Sequence, residues 1–172
     1  MAIPKVCGVE TEYGILTRGS IPDHYDNPVA ASSLLITAYL ADHQPFPTDR
    51  SVAWDYLDER PGSDARGFQV DDLLAPPIET SLVNVVLTNG ARYYVDHAHP
   101  EVSTPECRTA LDAVLFDRAA EEIVRASMAS VAKRLGVDAE LICHKNNSDG
   151  KGNSYGTHEN YLVARSVPFA RI

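Results

Sequence analysis

The sequence predicts an α+β fold, a largely antiparallel sheet with packed helices, on three observations. Leu82 to Leu87 and Ala91 to Val95 are runs rich in β-branched and aromatic residues, separated by Thr88-Asn89-Gly90. Asn-Gly between such runs marks a hairpin, because both residues tolerate the positive φ of the turn. Apolar residues at Leu111, Val114, Leu115, Ala119, Ile123, Val131 and Leu135 keep near-helical spacing, with Thr109 placed to cap the start and Gly136 to end it. The strand-like segments fall on both sides of that helix, in the order strand, loop, hairpin, helix, strand, strand.

Taken from the N-terminus, Val6 to Leu16 alternates loosely and reads as one strand. Its Glu10 and Glu12, two residues apart, project from the same face. From about Ser20 to Pro77 the texture changes: seven prolines punctuate the segment, and one apolar island from Ala30 to Leu40 has the composition of a helix. Such a long irregular insertion is usually functional. In the long helix, Lys133 and Arg134 suit the negative end of the dipole. Leu141 to Cys143 and Tyr161 to Ala164 read as short strands joined by the polar, glycine-bearing segment Lys145 to Gly156.

The 172 residues, 44% hydrophobic and 23% charged, suffice for one domain with a sizeable core. No apolar run approaches the ~20 residues of a membrane span, and Met1 to Lys5 lacks a signal peptide's apolar stretch, so a cytoplasmic location without membrane association is expected. Cys7, Cys107 and Cys143 are widely spaced and fit reduced thiols better than a disulfide framework or zinc site. A net charge of -9 argues against nucleic acid as a partner, since phosphate binding needs a basic footprint.

Polar groups concentrate in three places. In Gly8-Val9-Glu10-Thr11-Glu12-Tyr13-Gly14, two like charges on one strand face call for a cation, and a hard divalent ion would neutralise them. On spacing alone, a solvated face whose acids meet lysines or water is the other reading. In Tyr93-Tyr94-Val95-Asp96-His97-Ala98-His99-Pro100-Glu101, Arg92, Tyr94 and Asp96 share a strand face and His97 is expected on the opposite one. A zinc site there lacks ligands. Asp96 at a strand end is either a nucleophile or general base, or a local backbone cap. The third run, Asn146 to Tyr161, has neither the P-loop spacing nor an EF-hand's regular acids, and taken alone fits a solvated connection.

Gly8 to Gly14, Thr88 to Glu101, Lys145-Asn146-Asn147 and Ser154 to Leu162 together resemble the Pup ligase and Pup deamidase family, within the glutamine synthetase-like carboxylate-amine ligases. The resemblance covers nearly the whole chain. It implies that residues 1–172 are the N-terminal part of a catalytic domain with an inserted loop at about 42–80. Trp54-Asp55-Tyr56 and Asp64-Ala65-Arg66-Gly67-Phe68 in that loop resemble the deamidase branch more than the ligase branch. Glu10, Glu12, Tyr94, Glu101 and His158 match the family's magnesium site, and Asp96 matches its essential aspartate. Thr11, Tyr13, Gly14, Ser103, Thr104 and Asn160, with Glu10 and Glu12, match positions at the nucleotide. The implied cofactors are ATP and Mg2+. The implied partners are Pup and pupylated proteins, with the bacterial proteasomal ATPase as a further candidate. The implied reaction is deamidation of the C-terminal glutamine of Pup and cleavage of the Pup–lysine isopeptide bond. The alternatives are the ligase reaction, or a non-catalytic nucleotide- or partner-binding fragment. Members of the family continue well beyond Ile172, so further metal and nucleotide ligands are expected outside these residues.

Overall fold

The computed structural model describes residues 6–43, 83–136, 138–146, 148, 150, 152 and 154–171. The deamidase-type motifs at Trp54 to Tyr56 and Asp64 to Phe68 lie outside the described residues, as do Asn147, Asp149, Lys151 and Asn153 of the third polar run. Among the described residues the expected α+β class is what is found: a two-stranded sheet, two long helices, and a five-stranded antiparallel sheet in the order β3 (Asn84–Val86), β4 (Arg92–Asp96), β5 (His99–Ser103), β1 (Cys7–Glu12), β7 (Thr157–Tyr161). Strands β1 (Cys7–Glu12) and β2 (Gly14–Gly19) belong to different sheets. The single strand expected from Val6 to Leu16 is therefore corrected to two. Apolar alternation continues through the switch, so nothing in the pattern marks it. At the switch, a Cβ on Gly14 would lie 2.7 Å from the Tyr155 ring, so the chain changes sheet where it has no side chain.

Helix α1 (Pro28–His43) contains the apolar island and extends past both its ends. Asn27 caps it, its Oδ1 accepting from Ala30 N at 2.9 Å, and Pro28 takes the first helical position, where no N–H is needed. β3 (Asn84–Val86) and β4 (Arg92–Asp96) form the expected hairpin around Asn89-Gly90, with Gly90 at φ +85. A strand not expected follows: β5 (His99–Ser103) pairs with β4 on one side and β1 on the other. Helix α2 (Ala110–Leu135) starts in a complete capping box, Thr109 with Asp112, and ends at Gly136 as the sequence predicts. β6 (Ala139–His144) pairs with β2. The last strand, β7 (Thr157–Tyr161), lies earlier than the expected Tyr161 to Ala164, because register with β1 ends at the Cys7–Tyr161 pair. It is an exposed edge, so its polar residues show no apolar alternation.

The core forms between the helices and one face of the large sheet. Tyr93, Val95 and Val102 from the sheet meet Leu35 and Ile36 of α1 and Ile123, Val124 and Val131 of α2. Of the apolar positions counted on α2, Ile123 and Val131 are buried and Leu135 packs at the margin. Leu111, Val114 and Leu115 are exposed, because the helix is buried only from Ala120 onward. No helix among the described residues is long and apolar enough to cross a membrane.

Candidate active site on the polar face of the sheet

Period-2 alternation gives the five-stranded sheet two unlike faces. Thr11, Tyr93, Val95 and Val102 are buried on the helix side. On the other, register aligns Glu10 with Ser103 and His158, Glu12 with Glu101, Glu101 with Tyr94, and Asp96 with His99. Four neighbouring strands thereby pool acids and imidazoles that are far apart in sequence.

Carboxylate atoms of Glu10 and Glu101 and a ring nitrogen of His158 all lie within 4.8 Å of one another. Two carboxylates and one imidazole at that spacing suit a divalent cation of the magnesium or manganese type, which carboxylates favour. The electrostatics point the same way. Glu101 is only 4% exposed, and burial, with Asp96, Glu10 and Glu12 nearby, pushes its pKa up to about 7 against the pull of its Tyr94 hydrogen bond. A cation would relieve that repulsion. The Tyr94 hydroxyl donates to Glu101 Oε1 at 2.5 Å and lies 3.0 Å from Ser103 Oγ, while Ser103 Oγ is 3.4 Å from Glu10 Oε1. Burial and the Glu101 carboxylate hold the Tyr94 phenol far above its usual range, so it stays a donor.

Glu12 shares the face but stands outside that three-residue group. Its Oε1 is 3.0 Å from His99 Nδ1, and its Oε2 accepts from Gly156 N at 2.7 Å. Asp96 closes β4 at the rim, its side chain 23% exposed. Its Oδ1 accepts from His97 N at 2.9 Å and its Oδ2 is 3.3 Å from His97 Nδ1. His97 is therefore not the opposite-face strand residue expected: His97 and Ala98 form the two-residue turn between β4 and β5, with φ +45 and +67. Positive φ at both central positions matches the twist of a hairpin, and side chains other than Gly, Asn or Asp adopt it at a cost.

Of the residues matched to the nucleotide, Ser103 lies among the acids, and Thr104 Oγ1 accepts from Val9 N at 3.0 Å. Asn160 pairs with Gly8, where an added Cβ would meet nothing within 4 Å, leaving an open strip beside Glu10. Thr11 and Tyr13 are buried on the core side, so only their backbone faces outward. Gly14 seats Tyr155. Two participants have roles that the sequence did not suggest: His99, weighed there only with His97 as an insufficient zinc pair, braces Glu12, and Gly156 donates to it. Alternation of His99, Glu101 and Ser103 was the available signal for the first, and Pro100 between them obscured it by arguing against a strand.

A family model for Pup-ligase protein matches residues 5–172. The chain is 48% identical over 174 residues to a depupylase of Acidothermus cellulolyticus and 45% identical over 173 residues to a Pup deamidase/depupylase of Mycobacterium tuberculosis. Each alignment covers 98% of this chain and 33% of the relative, so the chain spans about a third of their length. A Pup–protein ligase of Nocardioides is 45% identical over 93 residues, 52% of this chain and 20% of that one. Among solved structures, the complex between Pup and its ligase PafA contains a chain that matches with a TM-score of 0.61 and 26% identity, over 98% of this chain and 27% of that one. Every described residue, those of the acid-lined sheet face included, thus falls within one family match, and the chain belongs to the Pup-ligase protein family.

Proposed function

We infer that the chain is the N-terminal part of the catalytic domain of an ATP- and magnesium-dependent amidohydrolase, which deamidates the C-terminal glutamine of Pup and cleaves the Pup–lysine isopeptide bond. The observation that carries this is the convergence of Glu10, Glu101 and His158 within 4.8 Å, with Asp96 on the same sheet face. The hydrolase is favoured over the ligase by identity sustained along the chain: 45–48% to depupylases over 98% of it, against 45% over 52% for the Nocardioides ligase and 26% over 98% for the ligase PafA.

Glu10, Glu12, Glu101 and His158 would hold magnesium, with Tyr94 beside them, and Ser103, Thr104, Asn160 and the backbone from Glu10 to Gly14 would contact ATP. When bound, the metal would supply positive charge that polarises a carbonyl and stabilises the developing oxyanion. Asp96 supplies the reactive carboxylate. Its His97 contacts aim it while leaving part of it accessible. It either attacks the amide carbon, forming an anhydride that water then hydrolyses to restore the free carboxylate, or takes a proton from the attacking water; in both routes the carbon–nitrogen bond breaks, and the nitrogen leaves as ammonia or the lysine amine with a proton that comes from water.

The test is incubation of the full-length protein with ATP, magnesium and a Pup conjugate. Release of the intact target supports the reading. Formation of conjugate coupled to ADP release would assign the ligase reaction instead, and tight nucleotide binding with neither reaction would assign a binding fragment.

A further inference from the structure

We propose that His99 is a positioning residue that ties the placement of Glu12 to the turn carrying Asp96. The inference rests on the proposed metal and amide-hydrolysis reading and goes beyond it by naming what holds the two halves of the site in register. His99 is 4% exposed and opens β5 directly across from Asp96. Its Nδ1 lies 2.7 Å from the His97 carbonyl oxygen and 3.0 Å from Glu12 Oε1. A carbonyl oxygen only accepts, as does an ionised carboxylate, so Nδ1 carries the proton and donates to both.

One N–H therefore spans two elements. The first is the turn: His97 and Ala98 sit at positive φ, and on its far side Ser32 Oγ donates to the Ala98 carbonyl at 3.1 Å. A turn in a costly conformation persists only where its surroundings hold it, and here α1 and His99 hold it from two directions. The second is Glu12, gripped by His99 on one oxygen and by Gly156 N–H on the other. The ring's own position is set by the edge of Tyr155, centroids 5.7 Å apart, and Tyr155 in turn occupies the space that Gly14 leaves empty. Losing the Nδ1 proton donor frees Glu12 and relaxes the Asp96 turn together.

Two substitutions separate the donor from the bulk of the ring. In His99→Asn the amide nitrogen falls near the place of Nδ1, whereas in His99→Gln it falls near Nε2. Two quantities are read on the purified protein: affinity for magnesium alone by calorimetry, and the hydrogen-exchange rate of the Gly156 amide in metal-free protein. Expected is a loss of about 10–100-fold in magnesium affinity for His99→Gln, the usual effect of removing a group that orients a ligand. Faster Gly156 exchange should accompany it, with both readouts near wild type in His99→Asn. Equal behaviour of the two variants, whether both intact or both impaired, overturns the proposal. If wild type binds no magnesium yet Gly156 exchange still separates the variants, the metal reading fails and the positioning role stands.

Discussion

Tyr94 donates its hydroxyl to Glu101 Oε1 across the β4–β5 register, and this bond is not enough to keep Glu101 an ordinary acid. Burial and three neighbouring carboxylates outweigh it and bring the pKa up to about 7 from an unperturbed 4.5. The folded protein therefore binds a proton that the unfolded chain has released between these two values. Stability conferred by protonated Glu101 is present in full below pH 4.5 and is lost as pH rises through 7. The difference corresponds to about 3 kcal/mol at 1.36 kcal/mol per unit. Denaturant unfolding of the metal-free protein should show lower stability at pH 8 than at pH 5. Glu101→Gln should flatten that slope, and magnesium should restore stability at pH 8 in wild type only.

Asp96→Asn keeps the side-chain shape and an oxygen to accept from His97 N–H while removing the charge that attacks or abstracts a proton. Amide hydrolysis should fall by at least about 10²–10⁴-fold, the range for losing a general base. Magnesium affinity should change little, because Asp96 is held by His97 at the rim of the sheet and is not among the residues proposed to hold the metal. A variant cleaving at the wild-type rate would remove Asp96 from the chemistry.

The strands that bring these groups together were only partly legible in the sequence. The β3–β4 hairpin and the α2 boundaries were readable because Asn89-Gly90, Thr109 and Gly136 act through local backbone chemistry. β5 was not, since Pro100 argues against a strand, yet it is tolerated here with its carbonyl accepting from Tyr13 N at 3.0 Å. The sheet switch at Tyr13 was hidden because alternation continues across it. The exposed Leu111, Val114 and Leu115 were hidden for the opposite reason: helical spacing says which residues share a face, not what that face meets. Glu10 and Glu12 looked alike on one strand, and only the pairing of β1 with β5 and β7 separates a member of the three-residue group from a residue braced by His99 and Gly156.

Two glycines with similar backbone angles should respond differently to alanine. Gly19 has φ +78, and an added Cβ would lie 2.0 Å from the Asp138 carbonyl oxygen, a backbone atom that accepts from Ser20 N at 2.8 Å just past the end of the β2–β6 ladder. Gly136 has φ +84 and open space. Gly136→Ala should cost about 1–3 kcal/mol, because φ +84 with ψ -175 is a conformation open essentially to glycine alone, and Gly19→Ala more than about 3 kcal/mol, as backbone strain and steric clash add. Chemical denaturation of the two variants measures the difference, and equal losses would mean that the β2–β6 junction yields freely.

Ala98 is fully buried at φ +67, with its carbonyl bonded to Ser32. A β-branched side chain suffers there twice, from the left-handed backbone and from a site with no spare volume, so Ala98→Val should destabilise by about 2–4 kcal/mol. Ala98→Gly relieves the backbone and surrenders only one buried methyl, so its net change in stability should stay within about 1 kcal/mol. The pair becomes informative for function when hydrolysis is measured alongside unfolding. If the strained turn aims Asp96, Ala98→Gly will fold normally yet cleave more slowly, because the freed turn samples conformations in which the carboxylate points away. If Ala98→Gly matches wild type in rate, the Ser32 and His99 contacts alone fix the turn, and the positive φ at Ala98 is a consequence of the fold with no catalytic role.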